Sequence, residues 1–267
     1  MKIEANGISI NYELTGNGQY LTLIHGAGDN LNAWYNQVPV FSQHYKVLTY
    51  DVQGHGQTQL SDKELTTDLW VEDLYALLKS LNINKTFLLG YSMGGGIASA
   101  FTIAHPEMIN ALILSNGGGI PPQRTEEEMR EMAARRQLRI ESIKKGGMKA
   151  VLEGVNDWFA PGFPEKNPEL MKHYKKIIAQ NKAEGYLRVM QRMGTPTTPP
   201  DFSKINCPTL IIAGEYDSFG GPTAKDTQEA ITGAQLRMFP TGHPTFLEQP
   251  EEYNETILKF LADVSSG

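Results

Sequence analysis

The chain has only one cysteine, Cys207, among 267 residues, so no disulfide can form within it. No cluster of cysteines and histidines has the spacing of a zinc site. No apolar stretch approaches the roughly 20 residues that a membrane-spanning helix needs. The N-terminus also lacks the charged and then apolar segments of a secretory signal. We therefore expect a cytoplasmic protein with no membrane partner.

Basic residues are also in deficit, with 24 Lys and Arg against 30 Asp and Glu and a formal charge of −6. A protein that tracks phosphates needs a basic surface, so nucleic acid is not an expected partner. The chain is 40% hydrophobic and 20% charged. Over this length, that composition predicts one elaborated domain with a large core.

Short apolar runs alternate with glycine-rich loops and helical patterns in the first half of the chain. The runs predicted as buried strands are 20–24, 45–50, 86–89 and 111–114. A helical pattern covers 66–81, and a helix rich in small residues precedes Pro106. This order is typical of α/β proteins with a mostly parallel sheet flanked by helices.

The alternation stops after Gly117-Gly118-Gly119 and returns with predicted strands at 209–213 and 235–239. Residues 120–200 are charged and helical in pattern, with Thr125 as the expected N-cap and Glu128 completing a capping box. We interpret 1–119 and 201–267 as two parts of one core, and 120–200 as an inserted helical cap.

The segment Gly90-Tyr91-Ser92-Met93-Gly94 follows an apolar run and precedes the helix rich in small residues. A serine on a sharp strand-to-helix turn exposes its hydroxyl, and the flanking glycines remove Cβ atoms that would clash there. The alternative is a tight turn with an incidental serine. The position in the chain favours Ser92 as a nucleophile.

A serine nucleophile needs a base, and the chain offers six histidines. His243 lies between the last predicted strand and the last predicted helix, where a loop reaches the carboxyl edge of the sheet. His25 precedes the first glycine-rich loop, where bracing that loop is the alternative to catalysis. We predict His243 as the base.

The base needs a carboxylate to orient it, and two candidates follow the strand at 209–213. Asp217 lies further beyond the strand end, where its side chain can turn toward His243. Glu215 is interpreted as a loop residue bonded to local backbone. The predicted order is therefore Ser92, Asp217 and then His243, which is the order of triads on α/β-hydrolase sheets.

Two backbone N–H groups must also face the oxygen that becomes charged, each contributing about 3 kcal/mol. Met93, directly after Ser92, is predicted to supply one and Ala27 the other. The Gly26-Ala27-Gly28 segment is also compatible with dinucleotide binding, but Leu31 stands where that motif needs its third glycine. We therefore predict an oxyanion hole at Ala27 and Met93.

These elements together make the chain similar to the α/β-hydrolase superfamily over residues 1–118 and 201–267. The segment 51–56 looks like the family's Asp-x-Arg-Gly-x-Gly turn, with Gln53 in place of arginine. Residues 242–243 followed by 248–251 resemble its C-terminal signature. Within the superfamily, the chain looks most like small carboxylesterases and 3-oxoadipate enol-lactonases.

The resemblance implies hydrolysis of a small carboxylic ester or lactone through an acyl-enzyme, without a metal or organic cofactor. Epoxide hydrolases and haloalkane dehalogenases carry an aspartate where this chain has Ser92. Two alternatives stay open: a carbon–carbon bond hydrolase of ring-cleavage products, and a ligand receptor without turnover. Trp34 and Trp158 are candidates for the pocket wall, with structural packing as the alternative.

Overall fold

The computed structural model describes residues 1–193 and 200–266 of the chain. Within them, eight strands form one sheet flanked by helices, which confirms the predicted α/β-hydrolase architecture. The strands are β1 Lys2–Ala5, β2 Ile8–Thr15, β3 Tyr20–Ile24, β4 Lys46–Tyr50, β5 Thr86–Tyr91, β6 Ile109–Ser115, β7 Thr209–Gly214 and β8 Gln235–Phe239.

The helices of the first half are α1 Val38–Phe41, α2 Thr67–Ser80 and α3 Met93–Ala104. Between β6 and β7, the described residues form five helices, namely α4 Glu126–Gly146, α5 Met148–Glu153, α6 Phe163–Lys166, α7 Pro168–Ile178 and α8 Ala183–Arg192. The last helices are α9 Ala224–Ala230, α10 Thr245–Glu248 and α11 Pro250–Ser266. Short 3-10 helices include Leu31–Trp34 and Val155–Trp158.

The strand order across the sheet is β1-β2-β4-β3-β5-β6-β7-β8. β1 and β2 are antiparallel to their neighbours, whereas β3 to β8 run parallel to one another. The chain moves from β3 outward to β4 and then returns to place β5 on the other side of β3. The loops after β3 and β5 therefore diverge, which opens a crevice at the carboxyl edge of the sheet.

The central strands β5 and β7 are buried throughout, because apolar side chains cover both faces of the sheet. One face packs against α2 and α3, with Leu74, Leu77 and Phe101 fully buried. The other face packs against α10 and α11 through residues such as Phe246. Strands covered on both sides read as continuous apolar runs, which is why their positions were predictable from the sequence.

The described part of the segment between β6 and β7 is mostly helical, as its sequence pattern predicts. Its first helix, α4, begins with the predicted capping box, in which Thr125 accepts from the backbone N–H of Glu128 and Glu128 accepts from that of Thr125. Residues 194–199 of the predicted cap, and residue 267 of the core, lie outside the described residues. The division into core and cap stays a prediction.

β1, which was not predicted from the sequence, pairs antiparallel with β2 at the edge of the sheet. This strand has only four residues, of which only Ala5 is buried, and an alternation of polar and apolar residues this short is a weak signal for a strand. Among the described residues, no helix combines the length and apolar character needed to cross a bilayer.

Candidate active site

Three side chains from separate loops form a hydrogen-bonded chain at the carboxyl edge of the sheet. His243 Nε2 lies 2.8 Å from Ser92 Oγ, and His243 Nδ1 lies 3.0 Å from Asp217 Oδ1. The three residues follow β5, β7 and β8 in turn. The structure thus brings together the three residues that the sequence pattern predicts as a triad, in the geometry that nucleophile activation requires.

Ser92 lies at the turn between β5 and α3, with φ 53° and ψ −115°. A positive φ is uncommon for a residue with a side chain, and here it turns the hydroxyl out of the sheet edge. The flanking glycines are required by close backbone contacts. A Cβ at Gly90 would lie 2.6 Å from the carbonyl carbon of Gly94, and one at Gly94 would lie 2.7 Å from the carbonyl oxygen of His25.

The Asp217 carboxylate is fully buried and accepts hydrogen bonds from several donors. Besides His243, its oxygens accept from the backbone N–H groups of Phe219 and Gly220 and from the side-chain amide of Asn116. Burial alone raises the pKa of Asp217, but these hydrogen bonds and the proximity of His243 hold it below its ordinary value. The ionised carboxylate only accepts hydrogen bonds, so it favours a proton on His243 Nδ1 and leaves Nε2 free to accept from Ser92.

Glu215 and Asp217 have different surroundings, although only two residues separate them. The side chain of Glu215 is exposed, while its backbone N–H donates to the carbonyl oxygen of Phe239.

Asn116 was not among the predicted site residues. A detectable signal was its place directly after an apolar strand and before a glycine, where asparagine tolerates its positive φ of 54°.

Ala27 and Met93 lie next to the Ser92 turn, on the loop after β3 and at the start of α3. Met93 is the first residue of α3, so its N–H has no intrahelical acceptor. On the other loop, the carbonyl oxygen of Gly26 accepts from His25 Nδ1 at 2.8 Å and from the N–H of Asp29 at 3.2 Å. The N–H of Ala27 lies on the opposite side of the Gly26–Ala27 peptide from this carbonyl oxygen. It therefore points away from His25 Nδ1 and from the N–H of Asp29.

Two buried histidines brace this loop. His25 Nε2 accepts from the N–H of Val52 at 3.0 Å, and His55 Nε2 accepts from the N–H of Gly28 at 3.1 Å. Burial lowers the pKa of His25, against a smaller opposing effect of Asp51, and lowers that of His55 well below its ordinary value. Each ring is therefore neutral, with Nε2 as the acceptor. These contacts favour the interpretation that His25 braces the glycine-rich loop.

Known proteins align with nearly the whole chain. A family model described as the alpha/beta hydrolase fold matches residues 20–145. The 3-oxoadipate enol-lactonase 2 of Acinetobacter baylyi is 29% identical over 96% of this chain and 94% of that protein. The 2-hydroxy-6-oxo-6-(2'-aminophenyl)hexa-2,4-dienoic acid hydrolase of Metapseudomonas resinovorans is 27% identical over 97% and 90%. The enol-lactonase of Burkholderia xenovorans LB400 superposes with a TM-score of 0.88 at 24% identity, covering 98% of this chain and 100% of that one.

These comparisons support assignment of the chain to the α/β-hydrolase superfamily, and within it the chain resembles enol-lactonases, as predicted from the sequence. The chain departs from the superfamily turn at Gln53, whose amide nitrogen donates to Asp73 at 2.7 Å and whose oxygen accepts from Ser61. Gln53 therefore still ties its turn to α2, without the charge of an arginine.

The candidate active site opens into a cavity of about 190 Å³ between the core and the helices that follow β6. This volume is below the roughly 300–1,000 Å³ that is usual for drug-sized ligands, so the cavity fits a small substrate. The residues that line it are Ala27, Asp29, Tyr91, Ser92, Arg139, Trp158, Tyr186, Met190, Met193, Phe219 and His243.

The two tryptophans predicted for the pocket wall have different locations. Trp158 lines the cavity. Trp34 does not lie in the cavity wall. Its ring is 1% exposed and packs 4.9 Å from the ring of Phe246, within the core beneath Tyr91. The pocket interpretation of Trp34 is therefore wrong, and the structural alternative applies, because the 3-10 helix 31–34 turns this side chain toward the sheet.

Two ionisable residues of the cavity were not predicted from the sequence. Asp29 is fully buried, with Oδ1 accepting a 2.7 Å hydrogen bond from the hydroxyl of Tyr174. Arg139 projects from α4 beside Trp158 and Tyr186. Asp29 Oδ2 and Arg139 Nη2 are buried atoms that meet no hydrogen-bond partner in the part of the chain that the structure describes. Both residues line the cavity, so these two unpaired atoms belong to its wall.

Proposed function

We propose that this chain is a serine hydrolase that cleaves a small carboxylic ester or lactone through an acyl-enzyme. The observation that carries the proposal is the 2.8 Å separation of Ser92 Oγ and His243 Nε2. His243 takes the proton as Ser92 attacks the carbonyl carbon, and then returns it to the leaving alcohol. A water molecule, activated by the same imidazole, releases the acid.

The other residues stabilise charge during these steps. Asp217 orients His243 and stabilises the imidazolium that forms. The N–H groups of Ala27 and Met93 hold the oxygen that becomes negatively charged in each tetrahedral intermediate, and they need little rearrangement because their backbone is braced. No step of this cycle calls for a metal or an organic cofactor.

The substrate is proposed to carry an acidic group besides the bond that is cleaved. Arg139 supports this, because a partly buried guanidinium with a free Nη2 in the cavity matches the planar geometry of a carboxylate. Relatives named for action on 3-oxoadipate enol-lactone and on a dienoic acid are consistent with such a group.

The proposal is tested with a fluorophosphonate probe and with p-nitrophenyl acetate, using the wild type and Ser92→Ala. We expect wild-type protein to gain one phosphonyl group by intact mass and to release nitrophenol, and the variant to do neither. If the folded wild type is inert to both reagents, the non-catalytic receptor becomes the better interpretation.

A carbon–carbon bond hydrolase is the second candidate, since a relative named as a dienoic acid hydrolase aligns over 97% of this chain. The two candidates differ in their preferred substrates. Rapid cleavage of a dienone-type ring-cleavage product, together with slow hydrolysis of esters and lactones, would favour this candidate over the first.

A further inference from the structure

The cavity contains a carboxyl group that the proposed triad does not use. Asp29 lines the same cavity as Ser92 and His243, and its side chain is fully buried. Tyr174 occupies Oδ1, while Oδ2 has no hydrogen-bond partner among the described residues. Native proteins rarely leave a buried polar atom in this condition, so Oδ2 is suited to meet a group of a bound substrate.

The carboxyl group is held in place from two sides. The buried side chain of Asn181 donates to the carbonyl oxygens of Gly28 at 2.6 Å and Asp29 at 3.2 Å. The hydroxyl of Tyr174, on α7, restricts the rotation of the carboxyl group itself. Because backbone and side chain are both restrained, Oδ2 keeps a defined direction and costs little to organise when a substrate binds.

The surroundings of Asp29 favour its neutral form. Burial raises the pKa of Asp29 to about 7, against smaller opposing effects of the Tyr174 hydroxyl and the backbone of Gly26. The titratable and charged groups on the packed elements and loops around it are the phenols Tyr91, Tyr174 and Tyr186, the imidazoles His25, His55 and His243, and the cation Arg139. Below pH 7 the free oxygen carries the proton and is a hydrogen-bond donor.

We propose that Asp29 is a specificity-determining residue, whose Oδ2–H donates a hydrogen bond to an accepting oxygen, such as a keto carbonyl, on the acyl group of the substrate. This inference rests on the proposed function. Asp29 and Ala27 belong to one tight turn, closed by the hydrogen bond from the N–H of Asp29 to the carbonyl oxygen of Gly26. A substrate carbonyl bound at Ala27 therefore lies close to Asp29, and we assign the acyl chain to that side.

The donor is present only while Asp29 is neutral. Above about pH 7, the ionised carboxylate offers no proton and repels an accepting oxygen. Preference for an oxygen-bearing acyl group should therefore be high at pH 5.5 to 6.5 and disappear toward pH 8.5. The protonation of His243 affects all substrates alike, so it cancels when two substrates are compared at one pH.

The experiment compares p-nitrophenyl 4-oxopentanoate with p-nitrophenyl pentanoate, which lacks only the keto oxygen. The ratio of their kcat/KM values, each corrected for spontaneous hydrolysis, is measured across pH for the wild type. We expect a ratio that is roughly tenfold higher at low pH than at high pH, as one neutral hydrogen bond provides, with a midpoint near 7.

Matched variants separate hydrogen bonding from packing. Asp29→Asn keeps a donor at every pH, so the preference should persist but no longer change with pH. Asp29→Leu has a similar shape and no donor, and should show no preference. Tyr174→Phe removes a hydrogen bond that favours the ionised form, so the midpoint should rise above that of the wild type.

The outcomes distinguish this inference from the proposed function. If the wild type cleaves both esters through Ser92 but the ratio is flat with pH, or if Asp29→Leu keeps the preference, the role of Asp29 is wrong and the function stands. If neither ester is cleaved and Ser92→Ala behaves as the wild type does, the proposed function itself fails. Thermal unfolding of each variant verifies that it is folded at the assay temperature.

Discussion

The backbone N–H of His243 donates a 2.6 Å hydrogen bond to the carbonyl oxygen of Trp158. This bond joins the loop of the proposed base to the helical segment that follows β6. Glu248 strengthens the junction by accepting from the N–H groups of Gly242 at 2.8 Å and Ala160 at 3.2 Å. The helical segment therefore helps to position the imidazole as well as enclosing the cavity.

Gly242→Ala should disturb this junction. A Cβ at that position would lie 2.6 Å from the backbone nitrogen of Ala160, so the base loop and the helical segment must separate. A displacement near 1 Å can lower kcat about a hundredfold, and we expect a loss of that order with p-nitrophenyl acetate. The control is Gly96→Ala, where the added methyl meets nothing within 4 Å. Equal effects of the two variants would argue against the junction.

Asp217→Asn should leave the fold intact and lower kcat by about four orders of magnitude, because an amide no longer specifies the tautomer of His243. Circular dichroism and steady-state kinetics measure the two effects. The matched variant is Glu215→Gln, whose side chain is exposed and whose loss we expect to change kcat less than twofold. If Glu215→Gln lowers kcat strongly and Asp217→Asn does not, Asp217 is not the carboxylate that orients His243.

His25→Ala should lower kcat by up to about a hundredfold, since the Gly26–Ala27 peptide loses the donor that orients it. His25→Asn retains an amide donor near the position of Nδ1, and should recover part of the activity. His105→Ala serves as the control, because His105 stacks on Tyr75 away from the cavity. If His25→Asn is no better than His25→Ala at equal stability, orientation of this peptide is not the cause.

Glu248→Gln should alter how stability depends on pH. Burial raises the pKa of Glu248 to about 7 from an ordinary value of 4.5, despite opposing hydrogen bonds from Gly242 and Ala160. Between these values the folded protein binds more protons than the unfolded chain, so wild-type stability falls as pH rises through this window. The neutral amide escapes this loss.

Melting curves of the wild type and Glu248→Gln at pH 5 and pH 8 measure this effect. Because Glu248 is only partly buried, the effect should be modest. We expect the Tm of the variant minus that of the wild type to increase by about 2–4 °C from pH 5 to pH 8. A constant difference in Tm would mean that Glu248 does not titrate on folding.

Arg139→Gln should raise KM for an ester with an acidic acyl group, such as p-nitrophenyl glutarate, by about 10- to 100-fold, the usual effect of a hydrogen bond to a charged group. KM for the neutral pentanoate ester should change little. Arg135→Gln is the control, because Arg135 lies exposed on the same helix and pairs with Glu131. A similar rise in KM for both esters would indicate lost packing rather than lost charge recognition.

The fold and the candidate triad were predictable because local sequence carries their causes. Buried parallel strands require continuous apolar runs, and the turn at Ser92 requires glycine on both sides. The capping box at Thr125 was likewise confirmed by local backbone contacts. Chain order then indicated which loops share the carboxyl edge, so Asp217 and His243 followed without knowledge of any distance.

The residues that line the cavity could not be predicted from local sequence. Trp34 and Trp158 were both candidates for the pocket wall, yet only Trp158 lines the cavity. Asp29 and Arg139 are separated by 110 positions, and neither belongs to a motif. What brings them to one cavity is the packing of the helices after β6 on the loop after β3, through contacts such as Tyr174 with Asp29. Periodicity and motifs report local geometry, whereas burial and unpaired polar atoms depend on how distant elements pack, and only the folded arrangement decides them.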